Sequence, residues 1–98
     1  MMQRLIVCIF GVYAPGESIM ALYVADRESS LYPWAKNPSS SASGLFQHLA
    51  TYWSGRAAAY LKPWQFAPWY DPSVFDPRAN AICAAKMVAQ SGWGPWSM

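Results

Sequence analysis

Prolines decide which architectures are open to this chain. Pro15, followed by Gly16, then Pro33, then four prolines between Lys62 and Pro77 cut its 98 residues into short pieces. A proline lacks the amide donor that a helix interior or a central strand requires. Between Pro15 and Pro33, "ESIMALYVADRESSL" reads as one amphipathic helix over Glu17–Ser29. Pro15 and Glu17 suit its start, as proline is favoured in a first turn and an acid there complements the helix dipole. Ile19, Met20, Tyr23 and Val24 recur at helical spacing and form the expected core stripe. Beyond Pro33, "AKNPSSSAS" (Ala35–Ser43) is a loop by composition. "GLFQHLATYWSGRAAAYL" then supplies a second helix, or two short ones broken at Gly55, with Leu45, Leu49 and Trp53 at i, i+4 and i+8. Lys62–Pro77 carries five aromatics beside its four prolines and is expected to pack irregularly over the body. "DPRANAICAAKMVAQSG" is the clearest helix, with Asp76 as N-cap, Pro77 in the first turn and Gly92 past the end. No repeat and no clear strand pair stands out. The expected fold is mainly α, a single small domain over residues 1–98.

Composition narrows the function. Apolar residues make up 54% and charged residues 12%, which argues against disorder and against a highly charged scaffold. A net charge of +2 is too small to imply nucleic acid and merely favours a polyanionic surface such as a cell wall. Six tryptophans and six tyrosines exceed what a small core needs, and the excess suggests a groove lined with flat rings, suited to sugars or peptides. Cys8 and Cys83 are compatible with one disulfide or with two buried thiols; their spacing and a single histidine, His48, argue against a metal. The apolar run Leu5–Tyr13 has nine residues, against the roughly 20 needed to span a bilayer. Pro15 stands where an export cleavage site would want a small residue, so the run reads as a buried first helix or strand rather than a signal peptide.

Glu28 is the residue that composition does not explain. It lies four residues after Val24 and eight after Met20, and so continues the apolar stripe. A carboxylate in a dry face is costly when ionised, and the raised pKa that follows is what a general acid at neutral pH needs. The competing role is a structural ion pair with Arg27, Arg56 or Arg78. Asp26 cannot be a catalytic partner, since two residues on a helix differ by about 200° around the axis. Asp71 and Asp76 lie in the proline-rich segment, and Asp76 already caps a helix. No second carboxylate is placed for a two-acid glycosidase.

Three ordered blocks resemble the soluble lytic transglycosylases and their relatives of lysozyme-like fold. Glu28-Ser29 is followed by the Asn37–Ser43 loop and by Gly44-Leu45-Phe46-Gln47, and "NAICAAKMVA" (Asn80–Ala89) looks like a third family block. The "GWGPWS" ending is similar to that of actinobacterial and phage members. The resemblance covers about residues 14–97. It implies a small lysozyme-like helical domain with a cleft, cutting the β-1,4 bond between N-acetylmuramic acid and N-acetylglucosamine in peptidoglycan. Glu28 would protonate the glycosidic oxygen and then act as base toward the muramic 6-hydroxyl, closing a 1,6-anhydro ring, with the substrate's N-acetyl group in the role of the second carboxylate. The implied partner is the glycan strand, with no cofactor, metal, nucleic acid or membrane span, acting at the bacterial wall as a monomer or as a domain of a larger protein.

The remaining site residues follow from the same resemblance. Ser29 would orient Glu28 or contact the muramoyl group, or be an ordinary helix-end hydroxyl. Gly44 would let backbone approach the sugar, or serve a turn. Phe46 belongs to the same substrate-binding block, and Gln47 would hydrogen-bond substrate or the surroundings of Glu28. Asn80 holds the wall of the site together more readily than it touches sugar. Trp93 and Trp96 would stack on sugar rings or seal the core, and Trp34 is a similar candidate at the rim. His48 reads as solvated, and neither cysteine has a catalytic constellation. Two departures stand out: Met87 replaces a common tyrosine, and a later tyrosine-containing block is not evident. A hydrolytic outcome, a non-catalytic wall-binding module and a structural or interaction protein are the rival expectations.

Overall fold

A computed structural model describes residues 2–61 and 73–96. Its helices are α1 (Met2–Tyr13), α2 (Ser18–Ser29), α3 (Ala50–Tyr60) and α4 (Pro77–Ser91). A short antiparallel pair, β1 (Ala42–Ser43) and β2 (His48–Leu49), lies between α2 and α3, and a 3-10 turn at Gly94–Trp96 follows α4. The fold is mainly α, as the helical periodicities imply. Most of the expected packing of Lys62–Pro77 falls on residues 62–72, which lie outside the described residues.

α4 organises the molecule. Asp76 caps it, its Oδ1 accepting from the amides of Arg78 at 2.9 Å and Ala79 at 3.2 Å, and Gly92 ends it. Every residue from Ala79 to Ala85 is buried, as are Met87 and Val88. A helix buried on all sides is a central one. Its alanines leave room for α1 and α3, both of which pack on it. The apolar run at the start of the chain forms α1, which also packs on α2. α1 is amphipathic rather than wholly buried: Ile6, Ile9 and Phe10 point inward, while Val7, Val12 and Cys8 face solvent. Both cysteines are free. Burial pushes the Cys83 thiol up to about 12, so it is an inert core group. No helix of the described residues is long and apolar enough to cross a membrane.

Three local expectations are corrected. In α2, Ile19, Met20 and Tyr23 are 85%, 39% and 56% exposed, and the buried face is Ala21, Val24, Ala25 and Ser29. The helix has two apolar faces, and α1 takes the one whose small side chains allow close approach. α2 also begins at Ser18, with Pro15 in the preceding turn, and the Glu17 carboxylate receives the Trp93 indole N–H at 2.7 Å instead of capping the helix. The second helix does not start at Gly44. Gly44 and Gln47 take positive φ values of 82° and 54°, which ends any helix there, and residues 42–49 fold as a hairpin pairing Ala42 with Leu49 and Ser43 with His48. α3 then runs unbroken through Gly55.

Candidate functional site

The second and third motif blocks and the "GWGPWS" stretch meet around the backbone of Phe46. The Phe46 amide donates to Asn80 Oδ1 at 2.8 Å, and its carbonyl accepts the Trp96 indole N–H at 2.8 Å. Asn80 is fully buried, and its Nδ2 donates to the carbonyls of Ser43 at 3.2 Å and Val74 at 2.8 Å. One side chain thus satisfies three backbone groups that burial would otherwise orphan. Gly44 is required beside it: with φ at +82°, a Cβ there would overlap Asn80 Nδ2 and the Val74 carbonyl. The close approach at Gly44 is to the protein itself rather than to a ligand.

Trp96 carries this network to Glu28. Its carbonyl accepts Arg27 Nη2 at 2.5 Å, and Arg27 pairs with Glu28, the Nη2–Oε2 distance being 2.9 Å. The Glu28 side chain keeps 27% of its surface in solvent. It stands at the edge of the buried face, four residues after Val24 and three after Ala25. The expected dry face is therefore corrected to a partly exposed position held by the neighbouring arginine. Two surface depressions of about 390 and 400 Å³, one along α3 and one beside Trp93, do not include Glu28.

A chain of backbone bonds links the end of α2 to the hairpin. The Tyr32 amide donates to the Ser29 carbonyl at 3.0 Å and the Ala35 amide to the Tyr32 carbonyl at 3.1 Å. The Ala35 carbonyl then accepts both the Gly44 amide at 2.8 Å and Gln47 Nε2 at 3.1 Å. Ser30, Leu31 and Gln47 are the non-glycine residues with left-handed backbone among those described, and all three fall in this stretch. Such strain persists only where surroundings over-determine it, and it clusters at functional sites.

The expected site residues divide accordingly. Asn80, Gly44, Phe46 and Trp96 come together, and Arg27 ties Glu28 to them. The Phe46 ring and most of Trp96 are buried, so neither presents a face to a ligand. Trp93 stacks on Phe10 at a centroid distance of 5.7 Å and seals the core. Ser29 is buried, with its hydroxyl bonded back to the Ala25 carbonyl at 2.9 Å. Gln47 spends its amide hydrogens inside the loop, on Ala35 and Gly44. Met87, at the position of the common tyrosine, belongs to the core.

No family model, curated protein or solved structure matches the chain. The resemblance to the transglycosylases therefore rests on the motif residues themselves.

His48 is the residue that sequence reasoning misplaces. It is fully buried, with Nε2 3.0 Å from the Asn80 carbonyl and Nδ1 2.9 Å from the Arg56 guanidinium. A carbonyl can only accept and a guanidinium can only donate, so the ring is neutral with its proton on Nε2. Burial chiefly lowers its pKa to about 4; the Asn80 bond opposes this and the Arg56 charge adds to it. Phe46 and Gln47 belong to the turn and His48 opens a two-residue strand, so no alternation in the sequence marks it as buried.

Proposed function

We propose that this protein cleaves the glycan strands of bacterial peptidoglycan as a lytic transglycosylase, with Glu28 as its acid/base. The observation that supports the reading is the convergence of the motif blocks: Asn80 and Trp96 grip Phe46 from either side, and Trp96 holds the arginine that positions Glu28. Residues distant in sequence share one rigid network that ends on a single partly exposed carboxylate.

Glu28 gives its proton to the glycosidic oxygen, and the bond from that oxygen to the muramoyl C1 breaks. The substrate's acetamido oxygen stabilises C1 in place of a second carboxylate. The Glu28 carboxylate then takes the proton of the 6-hydroxyl as that oxygen closes on C1, giving a 1,6-anhydro end and restoring the acid. The ion pair with Arg27 must open before the first step. Arg27 already has an alternative acceptor in the Trp96 carbonyl, so an arriving strand does not strand its charge.

The same ion pair favours a second reading, a non-catalytic wall-binding module in which Glu28 is structural. Glu28→Gln separates the two. The enzyme reading expects release of soluble fragments from purified wall sacs to fall by at least about a hundredfold while binding to the sacs persists. Equal release by both chains would remove Glu28 from the mechanism.

A further inference from the structure

Among the described residues, one exposed aromatic surface lies on the loop between the first two motif blocks. Trp93 and Trp96 are spent on the core, whereas Tyr32 and Trp34 are 56% and 66% exposed. Their rings meet edge to face, with centroids 5.2 Å apart at an interplanar angle of 60°. This geometry leaves ring faces uncovered. The pair is not carried on a floppy loop. Tyr32-Pro33-Trp34-Ala35 is a turn closed by the Ala35 amide on the Tyr32 carbonyl, with buried Pro33 at the position where proline presets the backbone. One end of the turn is bonded to Ser29, next to Glu28, and the other to Gly44 and Gln47. Aromatic rings already fixed in place lose little conformational freedom on binding. Lys36, exposed two residues beyond Trp34, adds a positive charge to the same loop.

A β-1,4-linked N-acetylhexosamine strand fits this surface. Each pyranose has a face of C–H groups that stacks on an aromatic ring, and wall strands carry carboxylates that Lys36 complements. We propose that Tyr32 and Trp34 form a stacking platform for that strand, leading it to Glu28; the proposal rests on the glycan-cleaving reading above.

The test uses the intact chain and three variants, Tyr32→Ala, Trp34→Ala and Trp34→Phe. Calorimetry would measure affinity for a β-1,4 N-acetylglucosamine tetramer, and fragment release would be followed on wall sacs. Each alanine variant should bind the tetramer roughly tenfold more weakly, with Trp34→Phe within about threefold of the parent. Circular dichroism should be unchanged for side chains so exposed. Unaltered affinity in both alanine variants, with the parent still releasing fragments, overturns the platform and leaves the cleavage reading standing. Weakened binding with no fragments from the parent supports the platform and removes the cleavage. A parent chain that binds neither tetramer nor sacs overturns both.

Discussion

Asn80 is the side chain whose loss the fold can least absorb. Its amide serves Phe46, Ser43 and Val74, so Asn80→Ala leaves a buried N–H and two carbonyls without their partner. The expected loss is about 3 kcal/mol, read as a lower urea midpoint at unchanged slope. His48 makes a different prediction. Its folded pKa lies near 4 against an ordinary 6.5, so the unfolded chain binds a proton in that interval which the folded chain refuses. Stability is therefore complete above pH 6.5 and falls by about 3 kcal/mol as pH drops toward 4. Comparing the pH profiles of the parent and His48→Gln isolates this fall, which should be missing from the variant whatever its absolute stability. A profile of identical shape in both would mean that the imidazole is not buried against Arg56. The two residues were unequally legible in the sequence. Asn80 is marked by its block and its place at a helix start. His48 reads as solvated only because the hairpin that buries it is too short to leave a strand pattern.

At the scale of elements, legibility followed the strength of local signals. α4 announces itself with an acidic cap, a first-turn proline and a terminal glycine, and all three do what their chemistry dictates. α2 has the right length, but spacing alone does not choose between its two apolar faces, and packing selected Ala21 and Ala25 over Ile19 and Tyr23. Gly55 misleads in the other direction. A glycine inside a helix costs about 1 kcal/mol, a penalty that neighbouring contacts absorb without breaking the helix. Because no described residue lies within 4 Å of the Cβ position at Gly55, Gly55→Ala should stabilise the protein by about 0.5–1 kcal/mol. Thermal unfolding would show this as a rise of a few degrees; a fall would mean that the surface of α3 is covered there. The hairpin was hidden for a physical reason too: two-residue strands have no alternation to display, and the turn is set by left-handed backbone at Gly44 and Gln47.

For the whole molecule, the placement of aromatics carries the functional argument. α4 forms the centre, α1 and α2 close one side, and the tail returns so that Trp93 bonds Glu17 and Trp96 bonds Phe46. Trp93 and Trp96, two of the three rings nominated for sugar, are thereby engaged in holding the fold, while the third, Trp34, stays exposed beside Tyr32 on the loop after Glu28. The sequence blocks indicated which residues meet but not which of their faces stay open, because order along the chain carries no information on exposure. The account's central claim is that Glu28 breaks the glycan strand without water. Mass analysis of the fragments released from purified wall sacs tests it most directly. The parent chain should yield muramoyl ends one water lighter than reducing ends, and Glu28→Gln should yield none. Reducing ends from the parent, or anhydro ends that persist in Glu28→Gln, would contradict it.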